Sequence, residues 1–309
     1  MATNFFTESI IKGLTSPQKY IPDSVYYDDN QGSIYFEKLL LTPDYYPAHC
    51  ENEILNTHSE NITNYLPQNV TVADLGTGEG SKTKLILNAL NKAGKLKAYI
   101  PIDICHRYLV NISREFKKMF PQIDILPVEA DYYSAMKKIS TEKNLFLLFL
   151  GNSFGNLDKN EQQEFLKFIH RYTKPGDFLL LGLDLKKDEK ILHRAYRETC
   201  RNWCFYLFER INRELQADFD KNLFEYHTEY SAETGEYKWF FISTTTHTVY
   251  LAATGTEIEF QKGEKIFIGR SFKFDEAEVM KMAQNAGLEI TDIFYDSKKY
   301  FADFLLKHI

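Results

Sequence analysis

The 309-residue chain has no run of roughly 18 apolar residues, so no membrane-spanning helix is expected. A basic excess is also missing: 37 Lys and Arg stand against 43 Asp and Glu, a formal net charge of −6. That balance argues against a nucleic-acid partner, which usually presents a positive stripe to the phosphates. Cysteine is scarce, with four residues at Cys50, Cys105, Cys200 and Cys204. Cys200 and Cys204 stand one helical turn apart without a second ligand pair, and the eight histidines form no ligand spacing, so no metal is expected. From Met1 to Pro22 there is no basic stretch followed by an apolar one, so no secretory signal is expected. The expected setting is a reducing cytoplasm, and the expected state a monomer. Internal repeats and low-complexity linkers are absent.

What the chain does have is aromatic side chains, 15% of all residues with 20 Tyr and 24 Phe; core packing accounts for most of them, and some could line a pocket for a flat or cationic ligand. Charged residues at 26% and hydrophobic ones at 44% are ordinary for a globular protein of one large domain or two unequal ones. The most informative stretch is Val72-Ala73-Asp74-Leu75-Gly76-Thr77-Gly78-Glu79-Gly80-Ser81-Lys82-Thr83-Lys84. It reads as a buried strand, a tight glycine turn and a helix, Lys82–Lys92. Glycine lets the backbone approach a ligand closely, and the helix start offers free N–H groups to an anion. The dinucleotide fingerprint G-x-G-x-x-G is not met, because Ser81 follows Gly80. An acid two residues before G-x-G-x-G resembles instead the first motif of S-adenosylmethionine-dependent methyltransferases.

Between residues 70 and 186 short apolar runs alternate with helical patterns. The expected strands are Val70–Leu75, Lys97–Ile104, Ile123–Val128, Leu145–Leu150 and Phe178–Leu185, separated by helices over Arg107–Phe120, Tyr133–Ser140 and Glu161–Thr173. This alternation predicts a doubly wound α/β fold, a parallel sheet covered on both faces. Asp188 to Leu215 predicts one or two long helices. Five aromatic and β-branched segments follow (Phe224–Tyr230, Trp239–Thr246, Thr248–Ala253, Ile258–Gln261, Ile266–Phe274), which predict an inserted antiparallel meander. A helix ending at Gly287 and two strands, Ile290–Tyr295 and Phe301–Leu306, would complete seven strands. The expected domains are 51–186 with 274–309 as the core, and 1–50 with 187–273 as an α+β cap over the carboxyl ends of the strands, where such sheets bind ligands.

Three acids, Asp74, Asp103 and Asp131, end successive strands. The second can accept both hydroxyls of a ribose, and the third, with Tyr132, can meet an adenine amino group and cover its ring.

At this point a family resemblance emerges. The segments Thr42-Pro43-Asp44-Tyr45-Tyr46-Pro47, Gly76-Thr77-Gly78 with Lys82-Thr83-Lys84, Pro101-Ile102-Asp103, Phe149 to Leu157, Gly182 to Asp188, Ala195-Tyr196 and Ile211 to Asp220 occur in that order. Together they resemble the histidine-specific Nα-methyltransferases of ergothioneine biosynthesis, from about residue 24 to the end. The resemblance implies a seven-stranded class I methyltransferase fold and S-adenosyl-L-methionine as donor. It implies that Gly76, Gly78 and Lys82 hold the donor's methionine end, with Lys82 on its carboxylate, Asp103 the ribose, and Asp131 with Tyr132 the adenine. Tyr27 would stand beside the reacting amine. Asn156 and Tyr196 would take the substrate carboxylate, Gly151 would line that pocket, and Tyr45 and Ser271 would face the imidazole.

The match breaks at the side-chain end. The family's glutamate two residues before the serine is Gly269 here, a family methionine aligns with Trp239, and the family's Phe-Asn-x-Asn stretch is Trp203-Cys204-Phe205-Tyr206. The expected activity is methylation of an amino acid's α-amino group, on histidine or on another aromatic amino acid such as tryptophan or tyrosine. Two rival functions fit the residues less well. A nicotinamide-dependent dehydrogenase fails on the glycine spacing, and a non-catalytic donor-binding protein leaves the joint presence of Lys82, Asp103, Asn156 and Tyr196 unexplained.

Overall fold

The computed structural model describes residues 2–22, 24–27 and 29–309, and the side chains of all these except 2–4, 24, 27 and 30. The chain divides into two compact units, Met1–Tyr45 with Lys187–Ser271 and Tyr46–Lys186 with Phe272–Ile309.

The second unit is built on one sheet. Its strands are β1 (Val70–Leu75), β2 (Leu96–Asp103), β3 (Asp124–Ile125), β4 (Val128–Glu129), β5 (Leu145–Phe149) and β6 (Phe178–Asp184). The first unit then contributes β7 (Phe224–Tyr230), β8 (Glu236–Ser243), β9 (His247–Leu251), β10 (Thr256–Phe260) and β11 (Lys265–Phe272), and the sheet is completed by β12 (Leu288–Tyr295) and β13 (Phe301–His308). The spatial order is β12-β13-β6-β5-β1-β2-β3, with β4 also on β2. All pairings are parallel except those of β13, which runs antiparallel to β6 and β12.

Alternation along the strands makes two cores. Leu145, Leu147 and Phe149 of β5 pack with the helices Tyr132–Ile139, Lys159–Tyr172 and Glu276–Asn285, while Phe146 and Leu148 pack with Tyr46–Tyr65, Ser81–Lys92 and His106–Met119. Both faces of β5 are buried, which is why its sequence is a continuous apolar run. The helix Lys159–Tyr172 starts at a capping box of Asp158 and Glu161, and Glu276–Asn285 at one of Asp275 and Glu278.

Three details depart from expectation. Ile123–Val128 is two short pieces, β3 and β4, because Pro127 has no N–H for the ladder. The helix Tyr46–Tyr65 buries Pro47, Ala48 and Cys50 in the second unit, so the unit boundary falls at Tyr45/Tyr46 rather than after residue 50. The inserted strands form no single meander. They make a three-stranded sheet β11-β8-β7 and a separate hairpin of β9 and β10. At the end of β8, the Ser243 N–H donates to Glu264 O (2.9 Å), and Gly263 N–H donates back to Ser243 O (2.8 Å), so β8 pairs with β11 rather than β9.

The first unit also holds the helices Ala2–Thr15, Asn30–Leu40 and Arg201–Leu215. The stretch expected as long helix contains a π-helical turn, His193–Glu198, between Glu189–Leu192 and Arg201–Leu215. Its core is aromatic: Phe208 stacks on Phe219 at 4.6 Å and meets Phe241 at 4.4 Å.

Candidate active site

In the second unit the sheet's order reverses at β1, which has β2 on one side and β5 on the other, each reached by its own crossover. Ligands of doubly wound sheets bind at the carboxyl ends beside such a point. There the turn after β1 carries Gly76, Gly78 and Gly80 at φ of +83°, +53° and +77°. Gly80 is also a packing requirement, since a Cβ there would stand 3.1 Å from both Ile112 and Phe116. Gly78 has open space where a side chain would stand. Its N–H donates to Asp103 Oδ2 (3.0 Å), and Cys105 N–H donates to Asp103 Oδ1 (2.8 Å). Burial raises the pKa of the Asp103 carboxyl, against these backbone N–H bonds.

Asp74, at the root of the turn, is 2% exposed and receives Thr83 Oγ1 and Tyr99 OH (3.3 Å). Burial pushes its pKa up to about 6 despite those hydrogen bonds. Of the three acids that end successive strands, Asp74 faces inward and anchors the turn.

Lys82, on the first turn of Ser81–Lys92, forms an ion pair with the fully buried Glu51. Glu51 also accepts the N–H of Gly151 at 2.8 and 3.0 Å. A Cβ on Gly151, at φ +76°, would stand 3.3 Å from Lys82 Nζ. Glu51 carries no local sequence signal. Behind it lies Asp303, also fully buried, whose pKa is held well above the ordinary range by burial and then by the charge of Glu51.

Asp131 caps the helix Tyr132–Ile139, accepting Ser134 N–H (2.9 Å) and Ser134 Oγ–H (2.7 Å). Burial acts to raise its pKa, but these hydrogen bonds prevail and lower it. Tyr132 stands edge-on to Phe149 at 5.0 Å, and its hydroxyl lies 3.0 Å from where a Gly76 Cβ would be. Asn156 ends the short turn Ser153–Asn156, and its half-buried side chain makes no hydrogen bond among the described residues.

In the first unit Tyr196, 3% exposed, sits on the π-helical turn and is the hub of an aromatic cluster. Its ring is 5.8 Å from Tyr45, 5.4 Å from Tyr237 and 5.7 Å from Trp239. Trp239 lies against Gly269, where a Cβ would be 3.3 Å from Trp239 Cε3 and φ is +154°. The Trp239 indole Nε1–H is buried with no acceptor among the described residues. Ser271 is buried on β11. Tyr27 closes the turn Ser24–Tyr27, and its side chain lies outside the described residues.

The second-unit set fits a nucleoside-sulfonium donor. Positive-φ glycines open the turn, a helix start has no side-chain cap, an acid ends β2, a part-exposed cation follows, and an aromatic ring lies beside Gly76. A family model described as a histidine-specific, S-adenosylmethionine-dependent methyltransferase matches residues 6–308. The chain belongs to that family.

This methyltransferase is 32% identical to a histidine N-alpha-methyltransferase of Mycolicibacterium smegmatis over 92% of its own length and 89% of the relative's. It is 25% identical to an L-tryptophan methyltransferase of Psilocybe serbica, over 97% and 92%. Among solved structures, a possible exported protein from Bordetella parapertussis shares the fold with a TM-score of 0.51 at 12% identity, over 91% of this chain and 83% of that one. The methyltransferase is thus an S-adenosylmethionine-dependent enzyme of amino-acid N-methylation on a class I sheet. No helix among the described residues is long and apolar enough to cross a membrane. No cluster of three or more His, Cys, Asp or Glu among them could hold a metal.

Proposed function

We propose that this methyltransferase acts on the α-amino group of a free aromatic amino acid other than histidine, with tryptophan or tyrosine the leading candidates. In this reading Gly76, Gly78 and Lys82 hold the methionine end of the donor, Asp103 its ribose, and Asp131 with Tyr132 its adenine. Gly151, Asn156 and Tyr196 take the amino acid's carboxylate, and Tyr45, Trp239, Gly269 and Ser271 meet its side chain. The donor supplies a methyl group already activated on a cationic sulfur. The residues' task is therefore alignment, which in well-oriented systems is worth about 7–11 kcal/mol of barrier. The amine must be neutral to react, and Tyr27, or water beside it, receives its proton. Tyrosine rings facing a methylated cationic product stabilise it by cation–π attraction.

The observation that carries the side-chain reading is Trp239 over Gly269. A bound imidazole N–H would find no carboxylate at position 269, and a buried unpaired donor costs about 1–3 kcal/mol. The indole Nε1–H of Trp239 has no acceptor among the described residues, and its ring offers an aromatic face on which a flat side chain can stack. In this reading the second unit holds the donor and supplies Gly151 and Asn156 to the substrate's carboxylate, and the first unit supplies the residues for its side chain. All four cysteines are free and buried, in keeping with a reducing cytoplasm, and the enzyme is taken to work as a monomer.

The test incubates the protein with S-adenosylmethionine and an equimolar mixture of amino acids, and looks by mass for products heavier by one to three methyl groups. Methylated tryptophan or tyrosine is expected. Methylated histidine alone would overturn the side-chain reading, and no product at all would overturn the whole.

A further inference from the structure

The chain passes between its two units at Tyr45/Tyr46, Lys186/Lys187 and Ser271/Phe272. On the second unit's side, one residue from beside each passage meets at a single buried point. The carboxylate of Asp184, at the end of β6, accepts Lys273 Nζ (2.9 Å) and Tyr46 OH (2.8 Å to both oxygens). Asp184 and Lys273 are both fully buried as side chains. Burying two charges costs desolvation that their attraction need not outweigh, so stability alone is a weak account of the pair.

The same corner holds the loop after β5. Asn152 is 4% exposed and sits at φ +59°, a left-handed conformation in a residue other than glycine. Its Oδ1 accepts the Asp184 N–H (2.8 Å), and its Nδ2 donates to Phe272 O (3.4 Å). A Cβ on Gly155 would collide with that amide at 2.4 Å, so the loop is shaped around the Asn152 side chain. Gly151 and Asn156 flank it on this loop. A left-handed residue held by buried polar bonds marks a segment whose shape is enforced for a purpose.

We infer that Asp184 and Lys273, with Tyr46, are positioning residues that fix the Gly151–Asn156 loop for the amino-acid carboxylate. This rests on the reading above that the loop receives that carboxylate. The clasp acts through Asn152 and the backbone of Asp184, whereas the loop meets the donor side at its other end, where Gly151 N–H donates to Glu51, the partner of Lys82. Its loss therefore separates the two affinities.

The experiment compares wild type, Tyr46→Phe and the charge-free pair Asp184→Asn with Lys273→Met, which avoids leaving one buried charge alone. Amide hydrogen exchange, read by mass spectrometry, is expected to quicken at least tenfold in residues 151–157 of the double variant and to stay unchanged in residues 96–103. The dissociation constant for S-adenosylhomocysteine is expected within threefold of wild type, while KM for whichever of histidine, tryptophan and tyrosine the wild type methylates rises at least tenfold. Tyr46→Phe moves the same quantities in the same direction by less. Unchanged exchange in residues 151–157, or equal quickening across the whole sheet, overturns the clasp. If the wild type methylates none of the three amino acids, the substrate reading falls, and the exchange result still decides the clasp.

Discussion

The ring of Trp239 packs tightly over residue 269: a Cβ on Gly269 would lie 3.3 Å from Trp239 Cε3. The two positions share one contact in the first unit, with Trp239 on β8 packed against the backbone of Gly269 on β11.

A first prediction follows from that pairing. Gly269→Glu alone meets both the ring and a φ of +154°, and is expected to lose about 1–3 kcal/mol of stability together with activity. Gly269→Glu with Trp239→Met makes room for the carboxylate. The ratio of kcat/KM for histidine over tryptophan should then rise at least tenfold, measured by competition. An unchanged ratio would show that these positions do not set the side-chain preference.

Asn156→Ala removes a side chain with no hydrogen-bond partner among the described residues. Its Tm should move little, while KM for the amino acid rises at least tenfold and the affinity for S-adenosylhomocysteine holds. Equal loss of both affinities would contradict a carboxylate-binding role.

Lys82 neutralises a fully buried Glu51. Lys82→Met should therefore cost about 3–5 kcal/mol in urea unfolding, and adding Glu51→Gln should recover most of it. S-adenosylhomocysteine should bind weakly in both variants. Full recovery of donor affinity along with stability would reduce Lys82 to a structural counter-ion.

The pH dependence of stability carries a signature of Asp74. Its pKa rises from near 3.8 to about 6 on folding, so the native state holds the proton more tightly. The stabilisation is complete below about pH 4 and is lost as pH climbs through 6, by roughly 3 kcal/mol. Asp74→Asn should remove this slope. The stability difference between wild type and variant, from urea titrations at pH 4 to 7, should shift by that amount. A constant offset would mean that Asp74 titrates at its ordinary value.

The sequence alone determined the layered α/β body, the donor turn and the order of the motifs, because these are local. A strand buried on both faces must be a continuous apolar run, as in Leu145 to Phe149, and a glycine turn at positive φ admits few other residues. Three-dimensional packing turned Asp74 inward, set Glu51 on Lys82 and Asp184 on Lys273, and paired β8 with β11 rather than β9. Those outcomes join residues distant along the chain. A buried charge leaves no periodic trace in its neighbours, and an edge N–H can be satisfied by any strand that packing brings beside it.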